Sequence, residues 1–197
     1  MNPIAPITPR LQPPVPDSAD RVQPLQVGAK VPDATVQTIE GKRIALATLL
    51  AAQPTALVFY RGGWCPFCNR QLAELQSVET DLKKLGYRIV ALSPDRPEEL
   101  RKSVGKHKLA YSLLSDSAMD AARAFGVAFT VDDGTLEKYR GFGINLEVAS
   151  GQKHHMLPVP SVFLVSRDGA IRYRYYNPDY KIRLSREALL AAARKDR

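Results

Sequence analysis

The sequence predicts an α/β layered domain, and three features of it do so. Two apolar runs, Thr55 to Tyr60 and Arg88 to Ser93, read as buried strands. The stretch between them carries apolar residues at helical spacing. A third apolar run, Ser161 to Ser166, leads through a turn into a pairing partner. Strands that alternate with helices and close in a hairpin bury their apolar faces as layers about a sheet.

Taken in order, residues 1–26 are set apart as an extended arm. Seven prolines fall within the first 24 positions, which favours a polyproline-like chain that packs weakly or docks on a surface. The folded domain is expected over 27–197. Val27 to Asp33 leads into a strand, Ala34 to Ile39. Glu40-Gly41-Lys42 turns it back into Arg43 to Leu46, an N-terminal hairpin extension. A short helix over Thr48 to Ala52 stops before Pro54. After the central strand, a helix runs from Cys65 or Pro66 to Leu85. Its apolar residues Leu72, Leu75, Val78, Leu82 and Leu85 recur at three- and four-residue steps, and Gly86 suits its C-cap.

Thr55 to Ser93 thus forms a β-α-β unit whose strands should be parallel. A helix opens in Pro94 to Glu99 and reaches His107, and Tyr111 to Leu114 is strand-like. Ser115-Asp116 can cap a helix through Phe125. Gly126 to Leu157 has few periodic apolar residues and reads as an insertion of loops with a short helix near Leu136 to Phe142. Arg167-Asp168-Gly169 is the turn of the late hairpin, Ala170 to Tyr176 its second strand, and Ser185 the cap of a last helix to Lys195.

The formal net charge of +8 is concentrated after Ser166, where nine Lys and Arg residues face four acids. These residues alternate with aromatics along a strand and then dot a helix, which a solvated face explains, so no nucleic-acid partner is expected. The charge suits steering of anionic thiols. No apolar stretch approaches the roughly 18 residues that cross a bilayer, so no membrane partner is expected. The N-terminus lacks a basic start followed by an apolar block, so a cytoplasmic location is expected.

The chemistry concentrates in Phe59 to Cys68, F-Y-R-G-G-W-C-P-F-C, which holds the chain's two cysteines. A strand that stops at Gly62-Gly63 and restarts as a helix puts Cys65 at the helix mouth, where unpaired N–H groups and the positive end of the dipole favour a thiolate. Such placement commonly brings a thiol from about 8.5 into roughly 3.5–7.5. Pro66 fits the first helical position. Arg61 can add positive charge, and Trp64 can shield a sulfur from water. Residues at i and i+3 of a helix have Cβ atoms about 5–6 Å apart, whereas a disulfide needs about 3.5–4.5 Å. A cap residue bent out of the helix can close that gap. A zinc site would need two further ligands, and only His107, His154 and His155 stand beside the carboxylates, so no metal is expected. No cofactor is expected beyond the disulfide itself.

W-C-P-F-C after an apolar strand resembles the thioredoxin fold. Val27 to Asp33, A-L-S-P-D at Ala91 to Asp95, and the hairpin from Pro160 to Tyr173 resemble peroxiredoxins. Together with Y-R-G-F-G-I at Tyr139 and N-P-D-Y at Asn177, the chain is similar to the peroxiredoxin-like proteins of the AhpC/TSA (alkyl hydroperoxide reductase/thiol-specific antioxidant) redoxin superfamily. The resemblance implies a thioredoxin-like fold, a central mixed sheet flanked by helices. It implies a cis-proline facing the dithiol at Pro160, with Pro158 as the competing position, and Val159 offering backbone hydrogen bonds to a bound thiol. It also implies an external thiol reductant such as thioredoxin or glutathione, and it allows a homodimer. The sequence departs from the usual Pro-x-x-x-Thr-x-x-Cys pattern. The proline becomes Arg61, the threonine Cys65, and the peroxide-attacking cysteine falls on Cys68. Pro160 stands where the late strand usually starts with an arginine.

Three readings follow. The main expectation is a thiol–disulfide redox enzyme with Cys65 as nucleophile and Cys68 resolving the mixed disulfide. The alternative is a thiol-dependent peroxidase in which Cys68 attacks a hydroperoxide and Cys65 resolves the sulfenic acid. A non-enzymatic binding or redox-sensing module is the third. Asp95, after the second strand, either faces the site or merely starts a helix. Tyr180 and Asp179 either line a pocket or make a turn.

Overall fold

The computed structural model describes residues 14–107 and 109–196. Its centre is β3 (Thr55–Phe59), buried along its whole length between β4 (Arg88–Ser93), which it meets in parallel, and β8 (Ser161–Val165), which it meets antiparallel. Both faces of such a strand must be covered, and the pleat divides its side chains between two layers. Ala56 and Val58, continued by Tyr60, enter one layer with Leu72, Leu75 and Leu82 of α2 (Pro66–Lys84) and Leu189 and Ala193 of α7 (Arg186–Lys195). Leu57 and Phe59 enter the other, with Leu46 and Leu50 of α1 (Leu46–Ala51) and Ala121 and Ala122 of α4 (Asp120–Ala124).

The seven-stranded sheet has the order β2-β1-β5-β4-β3-β8-β9, with β1 (Thr35–Gln37), β2 (Arg43–Ala45), β5 (Ser112–Ser115) and β9 (Ile171–Tyr176) completing it. β4 and β5 are parallel; the N-terminal hairpin and the late hairpin add antiparallel strands at either side. This is the thioredoxin-like mixed sheet the motifs imply. α3 (Pro97–His107) follows β4.

Two expectations change in the middle of the chain. Asp116 does cap a helix, but from a distance. Its carboxylate accepts from Ala121 N–H (3.0 Å) and Ala122 N–H (2.8 Å), while Met119 turns the chain at φ 59°, so α4 begins only at Asp120. The insertion is also more regular than its composition suggests. It holds β6 (Ala128–Thr130), α5 (Asp133–Gly141), α6 (Leu146–Ser150) and β7 (Met156–Pro158), with β6 and β7 paired as a separate ribbon. Val131, Leu136, Leu146 and Leu157 form its own small core, and Trp64 packs against it. Those four residues span 27 positions, from just past β6 through α5 and α6 to β7, so no single window of sequence shows them.

Residues 14–26 lie against the domain. Leu25 N–H donates to Phe125 O (3.0 Å), Thr130 N–H to Pro16 O (2.8 Å) and Arg174 Nη1 to Pro24 O (2.7 Å), and Val22 is buried. At Gly126 (φ +69°) a Cβ would collide with the Gln23 carbonyl oxygen, so glycine is what lets the segment approach. Residues 14–26 of the expected arm thus hydrogen-bond to β6, β9 and Phe125. The rest of the arm, 1–13, lies outside the described residues.

Candidate active site

The site forms where β3 gives way to α2. Tyr60 N–H still pairs with Leu92 O (2.9 Å), and then Gly62 turns the chain at φ +146°, a conformation that L side chains rarely adopt. A Cβ there would run into the Trp64 indole nitrogen and Asp95 Oδ1. The turn is pinned by Gly63 N–H donating to Asp95 Oδ2 (2.7 Å), Cys65 N–H to Gly62 O (3.1 Å) and Asn69 Nδ2 to Gly63 O (2.9 Å). Cys65 is the N-cap of α2 in extended conformation (φ −90°, ψ 117°), and Pro66 holds the first helical position. Cys65 and Cys68, one turn apart, are both free and both buried.

Each sulfur has its own guanidinium. Arg61 is 3% exposed, and its Nη1 donates to Cys65 Sγ (3.8 Å) while Nη2 donates to the Tyr139 hydroxyl. Its charge lies over the rings of Tyr180 (3.9 Å), Trp64 (5.0 Å) and Tyr139 (5.5 Å), a box of π faces that offsets part of its desolvation. Arg183, from the loop before α7, donates through Nη2 to Cys68 Sγ (3.5 Å). Its Nε and Nη1 are buried and find no acceptor among the described residues. Nor, among those residues, does a carboxylate pair with either arginine. Phe67 meets Tyr180 edge-on at 5.7 Å, closing the mouth.

These contacts split the two thiols. The Cys68 thiol donates to Cys65, and with Arg61 and Arg183 it outweighs the burial of Cys65 and pulls its pKa down to about 6. Burial, and then its role as donor, push Cys68 well above the ordinary thiol range. At neutral pH the pair therefore rests as a Cys65 thiolate beside a Cys68 thiol. Burial likewise raises Asp95 to about 6, against the hydrogen bond from Gly63 that favours its charged form. Among the described residues, no three of His, Cys, Asp and Glu converge as metal ligands.

Arg61, Trp64, Cys65, Pro66 and Cys68 thus come together as the motif suggests, although Trp64 acts on the site through its stack with Arg61 and with Tyr139 (5.7 Å). Val159 and Pro160 do not play the expected part. All described peptide bonds are trans, Pro160 included. Val159 N–H is spent on Val127 O (2.8 Å) and its carbonyl accepts from Ser161 Oγ (2.5 Å). The reason is the ribbon just upstream: β7 pairs with β6 and carries the chain into β8 extended, so the Val159 backbone is satisfied within the fold. Of the residues weighed as ambiguous, Asp95 faces the site and Tyr180 covers Arg61. Tyr139 and Arg183 were not singled out. The Tyr139 motif contributed only to the resemblance, and nothing separates Arg183 from the basic run around it.

A sequence profile of the AhpC/TSA family matches residues 27–174. Among curated proteins, the putative peroxiredoxin bcp of Haemophilus influenzae is 30% identical over 106 residues, 54% of this chain and 68% of that protein. Peroxiredoxin Bcp of Escherichia coli is 30% identical over 106 residues, 54% of this chain and 67% of that protein. Among solved structures, peroxidoxin BcpB from Mycobacterium tuberculosis superposes with a TM-score of 0.66 at 20% identity, covering 88% of this chain and 99% of that one. Reduced Prx3 from Vibrio vulnificus gives 0.70 at 16% identity, covering 86% and 99%. At such identities the structures speak to the fold, and the profile and the curated relatives to the class. The chain belongs to the AhpC/TSA family, as a peroxiredoxin-like oxidoreductase on a thioredoxin-like fold.

Proposed function

We propose that this protein is a thiol-dependent peroxidase that reduces hydroperoxides through a Cys65–Cys68 disulfide. The family supports the reaction class. The observation that carries the order of events is Cys65 at the N-cap of α2 with Arg61 Nη1 donating to its sulfur, an arrangement that favours its thiolate. The thiolate is the nucleophile, so Cys65 attacks first, the reverse of the order that the family's cysteine register suggests. Its sulfur bonds the terminal peroxide oxygen, the O–O bond breaks, and the alkoxide leaves as the alcohol after taking a proton. Cys65 is then a sulfenic acid. Arg61, 3.8 Å from the sulfur, is placed to donate to the oxygen that gathers charge. Cys68 next attacks Cys65 Sγ, hydroxide leaves as water, and the disulfide forms. An external thiol reductant of the thioredoxin or glutathione class returns the pair to its dithiol. A reactive dithiol that cycles through a disulfide suits a reducing compartment such as the cytoplasm.

The test is stopped-flow oxidation by hydrogen peroxide, followed through Trp64, with sulfenic acid trapped by dimedone. Rapid oxidation, with the adduct on Cys65 in Cys68→Ser, supports the proposal. An adduct formed as fast on Cys68 in Cys65→Ser reverses the order. Sluggish oxidation together with efficient reduction of insulin disulfides overturns the peroxidase. It would leave disulfide exchange, the reading favoured by a cysteine where the family pattern has threonine.

A further inference from the structure

Cys68 has a task its surroundings resist. To resolve the sulfenic acid it must give up its proton, yet it is wholly buried, and burial disfavours the anion. Four residues face it: Cys65 at the start of α2, Arg61 through its backbone N–H in the loop before α2, Tyr60 just past β3, and Arg183 from the loop before α7. Once Cys65 is a sulfenic acid it no longer carries charge. Tyr60 is held protonated by its own burial. Arg61 is committed to the Cys65 sulfur and to Tyr139. Arg183 is the cation left in contact with Cys68 Sγ. Two of its donors are buried without an acceptor among the described residues, an unfavourable arrangement for a charged group. Such a guanidinium gains most when an anion appears at the sulfur it touches.

We propose that Arg183 is a catalytic residue of the second half-reaction: it stabilises the Cys68 thiolate that closes the disulfide, while Arg61 serves the first sulfur. This rests on the Cys65-first order, and it places the family's missing strand arginine in a different loop and on a different step.

The test separates the two ideas because it needs no peroxide. The reduced protein is mixed with 4,4′-dithiodipyridine, a neutral disulfide. The Cys65 thiolate attacks it, forming a mixed disulfide and expelling one thiopyridone. Cys68 then attacks Cys65 Sγ, forming the protein disulfide and expelling the second. The slow phase reports Cys68 alone. In the wild type its rate should rise with pH to a midpoint that burial raises and Arg183 lowers. R183Q should slow closure about tenfold at pH 7 and move the midpoint up by about one unit, leaving the first phase the faster of the two. R183K should recover most of the rate, since it restores charge without the fork. The same midpoint in all three proteins, or an undiminished closure rate in R183Q, overturns the proposal. A first adduct on Cys68 overturns the order instead. With peroxide, R183Q should additionally gain sulfinic acid, because the sulfenic acid waits longer.

Discussion

The Arg61 guanidinium carbon lies 3.9 Å from the centre of the Tyr180 ring. Two segments 119 residues apart in the chain meet there to hold one cation over one sulfur. Tyr180→Ala should loosen Arg61 by the value of a partly desolvated cation–π contact, about 0.5–2 kcal/mol. The expected result is a higher Cys65 pKa and slower peroxide consumption. Thiolate absorbance at short ultraviolet wavelength, titrated against pH in both proteins, checks it.

The lowered Cys65 pKa fixes the acid limb of reactivity. Alkylation of the reduced protein should lose rate as pH falls through about 6, where Cys65 takes up its proton. Cys65→Ser should abolish that inflection, leaving only the slow alkylation of Cys68 at high pH. Arg61→Gln should move it upward, because the guanidinium favours the anion. Rates of iodoacetamide labelling, resolved by peptide mass, would show it, and an inflection near 8 to 9 in the wild type would refute it.

Asp95 makes a prediction about stability. Its folded pKa is raised to about 6 from 3.8, so between those values the folded state holds the proton more tightly than the unfolded. Stability from this group is therefore greatest at low pH and declines as pH rises through that window. Asp95→Asn keeps an acceptor for Gly63 N–H without the buried charge. It should be at least as stable as the wild type at pH 7 and show a flatter stability profile between about pH 4 and 6. Asp116, pushed to about 7 by burial, keeps its own share of the slope. Asp95→Ala strands the Gly63 N–H and should cost about 1–3 kcal/mol. Urea melts of the three proteins across pH decide the matter.

Gly62→Ala puts a side chain where Trp64 and Asp95 already sit, on a backbone at φ +146°. Strain of this kind costs about 1–3 kcal/mol before any clash is counted. The variant should melt earlier and lose the near-ultraviolet signature of the chain's single tryptophan. Peroxidase turnover should fall with it, as the loop that aims Cys65 shifts.

Truncation to residue 27 removes the buried Val22 and the contacts of Pro16, Pro24 and Leu25 with β6, β9 and Phe125. A loss of stability of about 2–4 kcal/mol is expected from one buried aliphatic and a few hydrogen bonds. Closure of the disulfide should survive, because none of these residues touches the dithiol. Thermal melts paired with a thiol count after oxidation would separate the two effects.

Much of this molecule can be read along the chain because the signals are local. The run from Thr55 to Phe59 is apolar at every position after the first, which suits a strand covered on both faces. The three- and four-residue spacing of Leu72, Leu75, Val78 and Leu82 gives α2, and Ser185 caps α7 through Ala188 N–H (3.2 Å). The insertion was harder to read. Leu136 and Leu157 lie 21 positions apart and bury one another's neighbourhood only after β6 and β7 pair.

By itself the sequence determined the layered α/β architecture, the dithiol at a helix mouth and the arginine four residues before it. Each follows from residues within one turn or one strand of each other. Which sulfur carries the charge was decided only by tertiary structure. Cys65 and Cys68 share one helix start, and their difference comes from Arg61 boxed by Tyr139 and Tyr180, from Arg183 reaching back across 115 positions, and from unequal burial. Electrostatics depends on distance in space, and the chain brings those charges together only by folding.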